Sequence, residues 1–412
     1  MSAGQISGGD DISALVIDTG SRNVRFGFSG NDTPTLTIPS VVGAQSSGTE
    51  TSNFVGDTEL LYPHKHMDIE RPVTNGVIQN VEKVCEIYSY GLNRLTGRRN
   101  ADLSELRVSH PILMIDPIVC PSAVRAELVE YLFETLDCPA VYFAHSAVTA
   151  CYASARYTGL VLESGAGYTA AVPIHEGYAL HNHVVSSPIA GDVITGILDS
   201  KLNDKHVDLL SPYQYFKRGS SVTHRHLPGI TDSYHAFRRA MLVEDIKESI
   251  CDVPDVPMDD STDPTPPESY SLPDGSTVTL GTERLTVPEV LFNPTMLDTT
   301  AGRNNNPAVQ GMVVSSIASC DESIQRDLFQ NILPVGGSTA FPQFVRRLTS
   351  EIDTMKLPVF KTKVHSYNPA ERGQAAWTGG SILSSLGTFH QLWLDRAEFL
   401  EHGKGVANTK FL

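Results

Sequence analysis

Ala14-Leu15-Val16-Ile17-Asp18-Thr19-Gly20 and Gly159-Leu160-Val161-Leu162-Glu163-Ser164-Gly165 have the same residue types in the same order. Each is a short apolar run, then an acid, a hydroxyl-bearing residue and a glycine. A short apolar run closed by turn residues reads as a buried strand. The first copy turns through Ser21 into Val24-Arg25-Phe26-Gly27-Phe28, a second strand, and the second copy leads into the apolar stretch Thr169–Val172. A duplicated strand–acid–turn–strand unit predicts two related α/β lobes facing each other. The length agrees, because 412 residues exceed what one hydrophobic core usually serves.

A third element of the same kind follows at Ile332-Leu333-Pro334-Val335-Gly336-Gly337-Ser338-Thr339, with helical spacing beyond it at Phe344, Val345 and Leu348. Between these units, Val108–Ile115 reads as a strand. Val124, Leu128, Leu132 and Leu136, after Pro121, give the i, i+4 stripe of an amphipathic helix. Ala44–Ser52 reads as a polar loop, and the Pro- and Asp-rich Cys251–Tyr270 and Asn-rich Asp298–Pro307 read as surface loops. The Ser/Gly/Asp-rich start reads as unstructured.

Lys+Arg number 31 against Asp+Glu 47, a net charge of -16, so no basic face is expected and strong direct nucleic-acid binding is not the default. The short clusters Arg98-Arg99 and Arg346-Arg347 read as solvated surface. Met1–Asp10 lacks the basic-then-apolar pattern of a signal peptide, and no apolar run approaches bilayer-spanning length, so no membrane partner is expected. The six cysteines, Cys85, Cys120, Cys138, Cys151, Cys251 and Cys320, show no CxxC pair. They suggest no zinc site and read mostly as small buried residues in a reducing compartment.

Glycine turns at strand ends present backbone N–H groups to phosphate oxygens at close range. Two such turns from opposite lobes would grip a polyphosphate from both sides. Asp18 and Glu163 could then hold a hydrated Mg²⁺ between them, with Arg25 as a nearby positive charge. The Val335–Thr339 turn could approach the flat face of a base. One glycine turn alone is usually structural; three in this order, two of them echoes, point to a nucleotide cleft.

On these residues the chain resembles the actin superfamily, in order and over nearly its whole length. Leu15–Ser21 through Pro39-Ser40-Val41-Val42-Gly43 resembles the first phosphate hairpin of that family. Phe54-Val55-Gly56-Asp57, Phe133-Glu134-Thr135 and Tyr152-Ala153-Ser154 match further segments. Pro173–Leu180 and Trp377–Phe389 are close to family signatures. Within the superfamily, Ser164-Gly165-Ala166, Ser187–Asp192 and Leu386-Gly387-Thr388-Phe389 look like the nuclear actin-related protein 4 group. The implied fold is the actin, sugar-kinase and heat-shock-protein ATPase fold, two similar α/β lobes around a cleft. The expected division is a small lobe over residues 1–153, a large lobe over 154–374, and a return of 375–412 to the small lobe.

The resemblance carries nucleotide binding to Asp18, Gly20, Ser21 and Arg25 in the first turn and to Gly165, Gly167 and Tyr168 in the second. It carries it to Lys247 and Glu248 at the nucleoside and to Gly336, Gly337 and Ser338 beside the base. ATP and Mg²⁺ are the implied ligands, the ion held through water by Asp18 and Glu163. Several positions depart from the family pattern. Arg22 replaces a glycine, and Ala166 replaces an aspartate that would contact the ribose. Gly373 lies where a lysine would pack on the base. Ser146 and Ala170 replace a glutamine and a histidine that position water. Hydrolysis rests on positioning and charge stabilisation, so little or none is expected and no catalytic residue is assigned. The resemblance further implies a non-filamentous scaffold subunit of nuclear chromatin-remodelling or histone-acetyltransferase complexes. Its partners would be actin, a long helix of a scaffold subunit seated on a groove of Tyr152, Leu383, Leu386 and Leu392, and histones attracted by the acidic surface. A divergent filament-forming actin and an active kinase or ATPase are the alternatives.

Overall fold

The computed structural model describes residues 13–47, 50–97, 106–219, 221–258, 265–297 and 305–411. The acid-and-glycine start, Arg98-Arg99 and most of the Asn-rich stretch therefore lie outside the described residues. The chain builds two main sheets. The first contains β1 (Leu15–Thr19), β2 (Asn23–Phe28) and β3 (Leu36–Pro39). A small three-stranded sheet follows from β4 (Val42–Ser47), β5 (Glu50–Phe54) and β6 (Met67–Glu70), with β4 central. The helix α1 (Val81–Leu95) then leads to β7 (Ile112–Asp116). After α2 (Ser122–Glu130) comes β8 (Ala140–His145), with α3 (Ser146–Ala153) directly behind it.

The second sheet contains β9 (Gly159–Ser164), β10 (Thr169–His175), β11 (Tyr178–Ala179) and β12 (Val185–Ser187). The helices α4 (Gly191–Asp204) and α5 (Asp232–Ile250) pack on each other, the helices Val309–Ser319 and Glu322–Gln330 pack on the second sheet, and β13 (Ile332–Val335) completes it, followed by α6 (Phe344–Met355). The long helix α7 (Pro369–Ser384) then returns to the first sheet, where β14 (Leu394–Asp395) forms the edge. The strand orders are β14-β8-β7-β1-β2-β3 and β11-β10-β9-β13, with β12 also on β10.

The two sheets repeat one another in register. β1 runs antiparallel to β2 and parallel to β7, and β9 runs antiparallel to β10 and parallel to β13. Each central strand is covered on both faces, which is why both read as continuous apolar runs rather than alternating ones. Leu15, Val16 and Ile17, like Leu160, Val161 and Leu162, are fully buried. One core lies under the first sheet around Ile17, Phe26, Ile87 and Tyr88, and another under the second around Leu162, Ile194, Val243 and Phe344.

Between the sheets, α3 and α7 make the densest helix contact in the molecule. The reason is Gly379: a Cβ there would lie 1.7 Å from the Thr149 carbonyl oxygen, so only glycine lets the two backbones meet. Trp377 on the same helix is fully buried, and its Nε1 donates to the Val16 carbonyl. Residue 375 lies within α7, the helix that carries the chain back to the first sheet.

Several expectations are corrected. Ala44–Ser52 is not a loop: β4 and β5 pair in register from Gly43 with Phe54 to Ser47 with Glu50. The strand predicted over 108–115 spans Ile112–Asp116. In the stretch read as a surface loop, Cys251, Val253 and Met258 are buried and Glu268–Ser271 is a strand; residues 259–264 are outside the described set. Pro and Asp marked the absence of helix correctly, but exposure did not follow. Arg347 is also no surface residue. It is 2% exposed, bonds both oxygens of the fully buried Glu289, and reaches Glu351 and the Pro254 carbonyl. A buried guanidinium persists only when its fork is filled in this way. The six cysteines are free, four of them buried.

Candidate nucleotide cleft

Both hairpins close identically. The Gly20 amide donates to the Asn23 carbonyl at 3.0 Å, and the Gly165 amide donates to the Tyr168 carbonyl at 3.0 Å. With the turns in register, Asp18 corresponds to Glu163, Ser21 to Ala166, Arg22 to Gly167 and Arg25 to Ala170. The turns face one another across a cleft of about 630 Å³. Among the described residues, the amides of Ser21, Arg22, Ala166 and Gly167 donate no hydrogen bond to the protein. Free amides from two opposed turns are a donor set that fits phosphate oxygens.

The turns also touch. Ser21 Oγ accepts from the Gly76 amide at 2.9 Å, and a Cβ on Gly167 would lie 2.3 Å from Ser21 Oγ and 2.9 Å from the Asn75 backbone. Asn75 and Gly76 both have positive φ and form the tip of a two-residue hairpin between Val73–Thr74 and Val77–Ile78. Asn-Gly is the strongest short hairpin signal a sequence offers, yet this contributor to the cleft was not predicted. The third turn is stitched to the second, with Ser338 Oγ donating to the Gly165 carbonyl at 2.7 Å.

All twelve residues assigned to nucleotide binding line the cleft: Asp18, Gly20, Ser21, Arg25, Gly165, Gly167, Tyr168, Lys247, Glu248, Gly336, Gly337 and Ser338. Two of them are engaged within the protein. Arg25 is not a free cation, because Nη1 bonds Asp18 Oδ2 at 3.0 Å, directly across the β1–β2 ladder. Tyr168 is buried, its ring packed against Gly76. Its hydroxyl is buried beside Glu163 and can meet a ligand only through its neighbours.

The charges in the cleft follow from burial. Glu163 is pushed up to about 7, first by burial; Ser146 Oγ, donating to its Oε2 at 2.8 Å, partly opposes this, and Asp18 adds a small further push upward. Lys247 is brought down to about 8, mainly by burial; its Nζ donates to Thr195 Oγ1 at 2.9 Å and to the Gly191 carbonyl at 3.3 Å. Arg22 crosses the cleft and forms an ion pair with the buried Glu244 on α5, so this departure acts as a tether. Glu244 and the buried Arg372, beside Gly373, also line the cleft and carried no sequence signal.

The segment between β5 and β6 is held against α5 and the turn before it. The His66 amide donates to the Gly229 carbonyl at 2.6 Å, and Tyr234 Oη and Arg238 Nη1 both donate to the Leu61 carbonyl at 3.1 Å. Of the two positions at which the family's water-positioning side chains are replaced, Ser146 lines the cleft with its hydroxyl committed to Glu163. Ala170 lies opposite Glu163 in the β9–β10 ladder and is fully buried.

No group of three or more potential metal ligands exists among the described residues. A hydrated magnesium ion does not require one, since it is usually held by one or two carboxylates, waters and substrate phosphates. Asp18 and Glu163 fit that pattern, Glu163 with no cation of its own. A bound ion would supply charge neutralisation between phosphates and carboxylates; the chain's own contribution is to orient the two acids from opposed hairpins.

The groove residues fall into two sets. Leu386 and Leu392 are exposed, together with Ile382, and Tyr152 is half-buried. Leu383 is buried with Trp377, Phe389 and Trp393 and is core, which corrects its placement on the groove surface. On α7 the inward Leu383 directly follows the outward Ile382, a distinction that a run of apolar residues does not reveal.

Two opposed glycine hairpins, an acid on each and a duplicated sheet define a two-lobed α/β fold of the actin type. The chain belongs to the actin family, whose model matches residues 9–412. It is similar to actin-related protein 4 of Arabidopsis thaliana, 34% identical over 446 aligned positions that cover 98% of this chain and 99% of the relative. It is similar to actin-related protein 4 of Schizosaccharomyces pombe, 32% identical with 96% of each chain covered. A third relative, the SWI/SNF and RSC complexes subunit arp42 of Schizosaccharomyces pombe, is 27% identical over 96% of this chain and 97% of its own length. No helix among the described residues is long and apolar enough to cross a membrane.

Proposed function

We propose that this chain is a nuclear, non-filamentous scaffold subunit of a chromatin-remodelling or histone-acetyltransferase complex, holding Mg-ATP in its cleft with little or no hydrolysis. The observation that carries the reading is full-length kinship with actin-related protein 4 and with a subunit of chromatin-remodelling complexes. The cleft supports the nucleotide part. It keeps free amides on both turns, while Ser146 is committed to Glu163 and Ala170 is fully buried. Positioning of an attacking water dominates phosphoryl transfer, and neither side chain supplies it.

The lobes in this reading are residues 1–153 with 375–412 and residues 154–374, and nucleotide contacting both would favour the closed state by mass action. Actin and an amphipathic scaffold helix are the proposed partners. The helix would lie over Ile382, Leu386 and Leu392, exposed apolar side chains at one end of α7 and just beyond it. The acidic surface would attract histones without a dedicated site. The test is affinity purification of the tagged chain from nuclear extract, with phosphate release and pelleting assays on the pure protein. Co-purification of actin and remodelling subunits, absent turnover and a soluble supernatant are expected. A cytoplasmic filament association or turnover typical of active ATPases would reject the proposal. Leu386→Asp, at an exposed position, should release the scaffold helix and leave melting within about 2 °C of wild type, a surface-substitution effect.

A further inference from the structure

A second cavity, of about 460 Å³, opens away from the cleft and shares no lining residue with it. It is lined by Arg156, Gln330, Asn331, Lys361, Thr362, Lys363 and His365. Its composition is unexpected in a chain with net charge -16. Among the described residues, none of Arg156, Lys361 and Lys363 takes part in an ion pair. Three cations that converge without a carboxylate carry mutual repulsion that an anion would relieve.

The backbone builds this arrangement. Segment 361–365 runs beside β13, with the Ile332 amide donating to the Lys363 carbonyl at 3.1 Å and the His365 amide to the Ile332 carbonyl at 2.8 Å. Extended chain alternates its side chains, so Lys361, Lys363 and His365 share one side. Val364 packs on the core. Arg156 arrives from the turn after α3 and is locked in place: Nε bonds Asn331 Oδ1 at 2.9 Å, Nη1 the Ser154 carbonyl at 2.8 Å, and Nη2 His365 Nδ1 at 3.0 Å. Arginine has only donors, so His365 Nδ1 accepts and its Nε2–H faces the Gln330 carbonyl at 3.1 Å. Thr362, also in the lining, keeps a buried hydroxyl without a partner.

The geometry points to a binding site for a small phosphate oxyanion, formed by Lys361, Lys363 and the fixed charge of Arg156. The choice of phosphate over carboxylate follows from the donors. Three of the five Arg156 N–H donors, including its single Nε–H, are taken by Asn331, Ser154 and His365, which removes the side-on bidentate pairing with a carboxylate. The cations still free to move are two lysine ammoniums, compact point charges suited to a multiply charged tetrahedral group. The cavity has room for two phosphoryl groups, and its affinity must be salt-dependent because both lysines are exposed.

The test is a titration of the full chain with inorganic pyrophosphate at low ionic strength, read on the imidazole ¹⁵N signal of His365, identified by its loss in His365→Asn. This signal reports the second cavity and not the cleft. The expected result is a saturable shift with Kd on the order of 1 mM, weakened at least about ten-fold in Lys361→Ala/Lys363→Ala, a double variant at exposed positions. A His365 signal that stays in place up to about 20 mM pyrophosphate, or an unchanged Kd in the double variant, would overturn the site. Tricarballylate moving the signal as far as pyrophosphate would overturn the assignment to phosphate.

Discussion

The two hairpins share a backbone and differ in charge. In the first, Asp18 faces Arg25 across the ladder and the pair neutralises itself within one β-turn unit. In the second, Glu163 faces Ala170, has hydroxyl groups rather than a cation beside it, and is held at about 7 by burial. The next positions differ in the same way: Arg22 reaches out to α5, whereas Gly167 yields its space to Ser21. One turn carries its own counter-ion, and the other leaves a carboxyl group whose ionisation waits on a cation from outside. Duplicated backbone geometry thus gives a cleft with one fixed charge and one adjustable charge.

The comparison breaks most severely if the cation of the first hairpin is copied into the second. Ala170→Arg would force a guanidinium into a fully buried position among Val161, Val172 and Ala147. Overpacking and an enclosed charge together should cost roughly 3–5 kcal/mol, seen as a fall in the denaturant midpoint. Arginine accommodated without loss would mean the second hairpin has more room than this packing allows.

The adjustable charge is tested by Glu163→Gln. In the wild type the native state keeps a proton near pH 7 that the unfolded chain releases near 4.5, so stability falls as pH rises between those values. At roughly 1.4 kcal/mol per pH unit the loss over that interval is of the order of 3–4 kcal/mol. The glutamine variant should melt above wild type at pH 8, with the difference vanishing below pH 4.5. Parallel melting curves across that range would show that Glu163 is ionised throughout.

The smallest effect is expected from Arg22→Gly, which makes the first turn resemble the second. The arginine side chain is 37% exposed but Glu244 is buried, so loss of the pair should cost roughly 1–2 kcal/mol, between the values for a surface and a buried pair. The tether spans the cleft, however, so a fluorescent ATP analogue should leave several-fold faster in stopped flow. Unchanged release would assign the pair to surface decoration.

What the sequence revealed follows from the range of the forces involved. Both hairpins were legible because a strand, an acid and a glycine turn are local; the bond of Asp18 with Arg25 was not, since it depends on the ladder register. Arg22 with Glu244 and Arg347 with Glu289 join residues from separate elements, and no spacing rule connects them. Leu383 and Leu386 have the same chemistry, and only the packing of α7 against the first sheet decides which is core. The loops were misjudged for a related reason: Pro and Asp report backbone conformation, while burial depends on what lies above.

The contact between Trp377 and Val16 spans 361 positions of the chain, and that between Arg125 and the Phe411 carbonyl spans 286. On the ribosome, strands β1 to β3 emerge early but cannot receive α7 or their edge strand until nearly all of the second sheet has been made. Domains generally fold in the order of synthesis, and this topology reverses that order: the sheet begun first is finished last. During that interval the apolar face around Val16, Leu113 and Ile115 has no cover, and the nascent chain depends on whatever shields such surfaces in the cell.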